Sequence, residues 1–418
     1  MNKSSSLIKE LEWEELLELA STESNRINGP TNPYSQKRLF GKDEKDIRVT
    51  LYRDHHAWCP YCQKIWLWLE WKRIPYFTKK VTMRCYGSKE KWYLEKVASG
   101  ILPAIEIDNI LYTESDQILV ELEKRFGPLG HQILDERIIE ERRLERRLFR
   151  AWCSWLCQPV LFKNQEVVRQ KKFQDLAREM ECIIQANKNS LLDIDDKSKE
   201  IKLPGTLDII FIPYLERMNA SLAFYKGFNL RKEHPYINSW LTELEKDSVY
   251  RGTQGDFHTH AHDLPPQMGG CFYSKNKQQI DFSNAIDIGD GLGQMETSVS
   301  EEELQKEKKP EAIALERVIR HKDKIKHVNI INSDHFDQPL RAALTSLITN
   351  RLCKPNKGSA KGLRYLRDRI SVPRDMPLLS ARKLRKALER TASLDSQEVG
   401  IPIPTNNRLD QDPKPFIA

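Results

Sequence analysis

Two cysteines, Cys59 and Cys62, stand one helical turn apart in the segment Trp58-Cys59-Pro60-Tyr61-Cys62-Gln63. Upstream, Ile47 to Tyr52 alternates and is rich in β-formers, which predicts a strand. Downstream, Pro60 takes the first position of a helix, where its missing N–H is not needed. Ile65, Leu67, Trp68, Leu69 and Trp71 populate that helix. This order puts Cys59 at a helix N-terminus, where unpaired N–H groups and the helix dipole favour negative charge. In such settings a cysteine pKa falls from about 8.5 to roughly 3.5–7.5. Only the thiolate attacks, so Cys59 is the expected nucleophile. Cys62 is placed to resolve a mixed disulfide. A zinc half-site is the competing reading and needs a second ligand pair. Cys153 and Cys157 offer helical i,i+4 spacing, but Cys85, Cys182, Cys271 and Cys353 are scattered and no second CxxC exists. Strand–CxxC–helix is the redox context, so no metal is assigned here.

The elements that must hold this pair follow in order. Ile74–Val81 reads as a second strand and Lys89–Val97 as a second helix. Leu102-Pro103 precedes a strand, Asp108-Asn109 turns the chain, and Ile110–Thr113 reads as the return strand. A helix runs from Ser115 to Arg125 and stops at Gly127-Pro128. The pattern is βαβα then ββα, which fits a four-stranded mixed sheet with helices on both faces. From Leu134 the pattern is helical. Glu140–Arg150 is laced with opposite charges at helical spacing, and Arg169–Leu192, the apolar Thr206–Tyr225 and His234–Lys246 follow.

Cys59-Pro60-Tyr61-Cys62 resembles the active site of dithiol glutaredoxins. Leu102-Pro103 resembles the cis-proline loop of thioredoxin-like folds, and Glu114-Ser115 resembles the γ-glutamyl site of glutathione transferases. The three occur in family order, and a helical domain follows. The resemblance to the glutathione S-transferase superfamily covers about 47–250. Asp263–Cys271 and Gly362–Met376, with the dithiol and the long extension, resemble the iota-type transferases of cyanobacteria and other photosynthetic organisms. Tyr61 departs from the Trp common in that class.

The resemblance implies an α/β thioredoxin-like N-terminal domain, an all-α glutathione-transferase domain and a mostly helical extension. It implies glutathione as cosubstrate. The Leu102 backbone would pair with its cysteinyl part, a cis bond before Pro103 would turn that backbone toward the thiol, and Ser115 with Glu114 would take the γ-glutamyl end. Lys89 is a candidate for the glycine carboxylate, as is Lys91. Trp58, Tyr61, Trp152 and Tyr214 are candidates for an electrophile pocket. At Glu114-Ser115 the bland alternative is a plain helix cap. Gly205 stands where the family has a capping hydroxyl, leaving that task to Thr206 or Asp208.

The chain of 418 residues is 39% hydrophobic and 30% charged, enough for real cores under a well-solvated surface. No apolar run is long enough to span a membrane. The first twenty residues are acidic and amphipathic, unlike a secretory signal or transit peptide, so a cytoplasmic setting with reduced thiols is expected. In that segment Leu7, Leu11, Leu16 and Leu19 are placed to dock a helix on the body. The net charge of +7 is concentrated in 351–390, which holds thirteen Lys/Arg against three Asp/Glu. Aromatic interleaving there is poor, so a protein partner or the chain's own acidic groups are preferred over nucleic acid. His258, His260 and His262 alternate in a segment read as extended, and a solvated loop is preferred there over a metal site. The expected organisation is a lead-in at 1–46, the thioredoxin-like domain at 47–130, the helical domain at 131–250, an irregular linker at 251–300, and a basic helical extension at 301–418.

The resulting expectation is a glutathione-dependent thiol transferase of the cysteine type. It would reduce small mixed disulfides or dehydroascorbate or remove glutathione from adducts, with weak conjugation, because a cysteine forms a disulfide with glutathione where a hydroxyl would stabilise its thiolate. A homodimer is expected from the superfamily. Two other classes are kept: a binding or scaffold protein on this fold, and a glutathione-assisted iron–sulfur carrier.

Overall fold

The computed structural model describes residues 7–22, 24–186, 204–299 and 309–398. After helix α1 (Trp13–Leu19), the chain lays down strands β1 (Lys37–Arg38) and β2 (Val49–Asp54), then α2 (Pro60–Trp71) and β3 (Tyr76–Val81). Helix α3 (Lys91–Lys96) leads to the hairpin β4 (Ala104–Ile107) and β5 (Ile110–Thr113), and α4 (Ser115–Phe126) closes the unit. The strand order is β1-β3-β2-β4-β5, with β2 and β3 parallel and the other pairs antiparallel. This is the expected thioredoxin-like mixed sheet with one strand more. β1 comes from the lead-in at 1–46. It is held by Arg38, whose buried guanidinium grips Glu70 of α2 at 2.9 and 3.0 Å. That charge pair reaches from one element to another, so no local pattern revealed the strand.

Helices α5 (Glu136–Cys157), α6 (Lys163–Ala186), α7 (Thr206–Lys226), α8 (Leu230–Glu233), α9 (Pro235–Leu244) and α10 (Ser248–Thr253) build the helical domain. The expected 169–192 segment begins earlier, and its last residues lie outside those described. α7 is buried along its whole length, as its apolar sequence requires. At its start Asp208 does the capping, accepting the Gly205 N–H at 2.7 Å and the Trp240 indole N–H at 2.7 Å. At its end Gly227 adopts φ +65°, and a Cβ there would lie 2.5 Å from the Gln279 backbone.

The reading of 251–300 as irregular is overturned. α10 ends within it, and α11 (Phe257–Met268) and α12 (Lys277–Asp287) both pack on α7. Asp256 caps α11 through the Thr259 N–H at 2.9 Å, and Asn276 caps α12 through the Gln279 N–H at 2.8 Å. Phe257, Ala261 and Leu264 form a buried i, i+4, i+7 stripe that continues the main core. Polar composition and Pro265-Pro266 hid that stripe. The histidines therefore lie on a helix and not on an extended segment.

Helices α13 (Pro310–Val328), α14 (Ser333–Thr349), α15 (Ala360–Arg369) and α16 (Leu378–Ala392) enclose a second core. Of the four N-terminal leucines, Leu16 is buried in this second core and Leu11 packs at its margin, while Leu7 and Leu19 are exposed. The two cores are joined by polar contacts. Arg385 pairs with Asp256, the Val372 N–H donates to Thr259 Oγ1 at 2.9 Å, and Arg317 lies 3.7 Å over the Tyr34 ring. Much of the basic run is consumed internally: Arg364 and Arg367 bind Glu389, and Arg367 also binds Asp368. No helix of the described residues is long and apolar enough to cross a membrane.

Candidate active site

Cys59 caps the N-terminus of α2 with Pro60 as the next residue, as the sequence predicts. Asp54, the last residue of β2, shapes the approach, because its Oδ2 accepts the Trp58 N–H at 2.7 Å and the Cys59 N–H at 3.2 Å. Cys59 is 7% exposed and Cys62 2%. The two sulfurs and an Asp54 carboxylate oxygen lie within 4.8 Å of one another. Burial, and then Cys59 itself, holds the Cys62 thiol well above its ordinary range. Cys62 is therefore a protonated neighbour at neutral pH.

Strand register collects the other expected residues. Tyr52 pairs with Ala104 and Ala104 with Thr113. The loop to Cys59, the Leu102-Pro103 turn and the Glu114-Ser115 corner therefore leave the same end of the sheet. The Leu102–Pro103 peptide is cis. Glu114 has φ +66°, costly for a non-glycine residue, and its side chain makes no capping hydrogen bond. Glu114 thus holds the N-cap position of α4 without capping through its side chain. Ser115 is buried at the first position of α4. Lys89 donates to the Thr82 carbonyl oxygen at 3.1 Å. Burial pushes its ammonium down, while Cys62, Glu90 and Cys59 act against that shift.

The aromatic candidates divide. Tyr61 is exposed and meets Tyr214 edge to face at 6.0 Å. Tyr214 is buried, and burial keeps its hydroxyl protonated. Trp58 and Trp152, expected in an open pocket, pack inward instead. Trp58 lies between Arg217 and His260, and Trp152 donates to Ser221 Oγ at 2.9 Å. Their indoles reach the α7 face of the core, which gives more burial than a surface pocket offers. Beside Tyr214 a cleft of about 460 Å³ is lined by Lys64, Asp116, Arg142, Arg146 and Ile210 among others. Arg146 sits 4.7 Å over the Tyr214 ring and pairs with Glu145, while Lys64 and Arg142 pair with Asp116.

Sequence reasoning missed Asp54, Arg217 and the network around Arg217. This buried guanidinium donates to the Trp58 and Pro213 carbonyl oxygens and to Gln63 Oε1 at 2.9 Å. Burial pushes it down, while Glu216, Cys59 and Asp54 favour its charged form. Glu216 in turn lies 2.7 Å from His260 Nε2, and accepts from Gly255 N–H at 2.6 Å and Gln63 Nε2 at 3.2 Å. The available signal was Glu216-Arg217 itself, a charged pair inside an otherwise apolar helix, since such residues are seldom buried unless partnered.

Fold and site together define a thioredoxin-like thiol domain carried on a helical domain. The family model for the glutathione S-transferase N-terminal domain matches residues 58–125. Glutathione S-transferase L3 of Arabidopsis thaliana is 24% identical over 200 residues, covering 47% of this chain and 79% of that relative. The chloroplastic glutathione S-transferase DHAR3 of the same plant is 22% identical over 203 residues, covering 47% of this chain and 69% of its own length. Among solved structures, dehydroascorbate reductase of Chlamydomonas reinhardtii aligns with a TM-score of 0.40 at 19% identity, over 50% of this chain and 93% of that one. The family match and the plant relatives support the glutathione S-transferase superfamily for this chain.

Proposed function

We propose that the protein is a glutathione-dependent thiol transferase and reductase of the cysteine type, with Cys59 as nucleophile and glutathione as cosubstrate. The observation that carries this reading is Cys59 at the N-terminus of α2, at the end of the sheet from which the cis Leu102–Pro103 turn and the Glu114-Ser115 corner also leave. A cysteine so placed suits attack on a disulfide rather than activation of glutathione for conjugation. The plant relatives named for glutathione transferase and DHAR agree with the class.

In the first step the Cys59 thiolate attacks the glutathionyl sulfur of a mixed disulfide. A Cys59–glutathione disulfide forms, and the substrate leaves as a thiolate that takes a proton from solvent. In the second, a glutathione thiolate attacks that adduct, releasing glutathione disulfide and restoring the Cys59 thiolate. Leu102 and Pro103 offer backbone to the cysteinyl part of glutathione, Ser115 and Glu114 receive its γ-glutamyl end, and Lys89 its glycine carboxylate. Tyr61 with the Arg146 cleft receives the second substrate. The finer likeness to the iota class belongs to this reading and rests on the dithiol and the extension; a homodimer, expected from the superfamily, and a protein partner for the basic extension belong to it as well.

The test is glutathione-dependent reduction of a small mixed disulfide, with dehydroascorbate in parallel, for wild type and Cys59→Ser. Activity lost in the variant supports the reading. A folded wild type inactive on both substrates and without glutathione affinity replaces it with the scaffold reading.

A further inference from the structure

We propose that His258, His262 and Asp287 form a divalent transition-metal site, separate from the Cys59 centre and independent of the thiol-transferase reading. His258 and His262 are one turn apart on α11, so their rings share a face, with centroids 4.6 Å apart. Asp287 closes the group from the end of α12, its Oδ1 2.7 Å from His262 Nε2. One ligand atom from each of the three lies within 4.8 Å of the other two. Around a tetrahedral zinc ion with bonds of about 2.0–2.2 Å, ligand atoms stand roughly 3.3 Å apart. Small side-chain movements therefore bring these three donors into place.

The donor set is two imidazoles and one carboxylate, which suits zinc or iron and is poor for calcium or magnesium. His258 is 4% exposed, while His262 and Asp287 are partly open, giving the ion an entry side. Asp368 of α15 has Oδ1 3.9 Å from His258 Nε2 and stands ready at the fourth position, which a water can also fill. The surrounding charges permit a cation. Asp256 faces His258 and is matched by Arg385, Asp368 is matched by Arg367, and Asp287 adds a further negative charge. An ion here would tie α11 and α12 together next to the extension.

The test uses the full chain carrying Cys59→Ser and Cys62→Ser, which removes the competing Asp54–Cys59–Cys62 cluster. Titration with Co²⁺ should give visible d–d bands without the near-ultraviolet thiolate-to-cobalt band. Zn²⁺ should bind and raise the melting temperature. His262→Gln and Asp287→Asn, both at partly open positions, should each weaken zinc binding at least tenfold and abolish its effect on melting. Melting in EDTA identifies the variant that keeps its fold. A cobalt spectrum with a thiolate band, no cobalt spectrum at all, or zinc binding unchanged in a folded variant would overturn the site and leave His262 and Asp287 as a plain hydrogen-bonded pair.

Discussion

Arg217 of α7 donates to the carbonyl oxygen of Trp58, the residue immediately before Cys59. A helix of the second domain thus holds the backbone that presents Cys59. The contact is buried, so it cannot be replaced by water without cost.

Arg217→Met leaves the Trp58 and Pro213 carbonyls without this donor and Glu216 without this cation. Losing hydrogen bonds from a buried charged donor costs about 1.5–3 kcal/mol. A clear fall in melting temperature is expected, with Arg217→Lys intermediate because it keeps charge but loses the planar fork. Glutathione-dependent turnover should fall in both, because the Trp58 carbonyl loses the donor that holds it. A folded Arg217→Lys protein with wild-type turnover would show that this contact does not position Cys59.

Cys62→Ser should keep most glutathione-dependent turnover, because glutathione resolves the adduct. The elevated Cys62 thiol also gives the alternative dithiol route a pH signature. Formation of the Cys59–Cys62 disulfide from the isolated Cys59–glutathione adduct should accelerate about tenfold per pH unit above neutrality, following the thiolate fraction. Quenched-flow mass spectrometry reads this directly, and a flat profile would count against it.

Acid should unfold the protein through buried carboxylates. Burial alone would raise the Glu216 and Asp256 carboxyls. His260 and Arg217 hold the first below 4.5, and Arg385 and His258 hold the second below 3.8. Depressed folded values mean that this stability is complete above those ordinary values and is lost as pH falls through the lower folded ones. Melting temperature should be level from neutral pH to about 5 and then decline with acidification. Asp256→Asn should lower the plateau and flatten the decline.

A chain ending at Tyr250 should not fold. Phe257, Ala261, Leu264 and Ile286 belong to the main core, and burying each large side chain contributes about 1.5–3 kcal/mol. A chain ending at 299 keeps that core and should express as soluble, reductase-active protein. Solubility and circular dichroism of the two truncations distinguish these outcomes.

Glu114→Gly should separate stability from binding. Glycine accepts φ +66° freely, so stability should hold or rise by about 1 kcal/mol of relieved strain, read as an unchanged or higher melting temperature. Loss of the carboxylate should raise the KM for glutathione. An unchanged KM would remove Glu114 from the glutathione site.

The sequence by itself determined the strand–CxxC–helix unit and its scaffold. Strand, CxxC and helix are local patterns, and the Leu102-Pro103 and Glu114-Ser115 corners lie in one short stretch of chain. Periodicity also located the apolar α7. Tertiary structure alone decided what surrounds the thiol. Arg217 lies 158 residues beyond Cys59, and Asp54 matters through where the β2 loop folds back. It also decided that Trp58 and Trp152 face inward, that β1 joins the sheet through Arg38, and that the polar 251–300 stretch supplies two core helices. The reason is common to these cases. A buried charge or a helix with a narrow apolar stripe is stabilised by partners distant in sequence, and composition averaged along the chain carries no record of them.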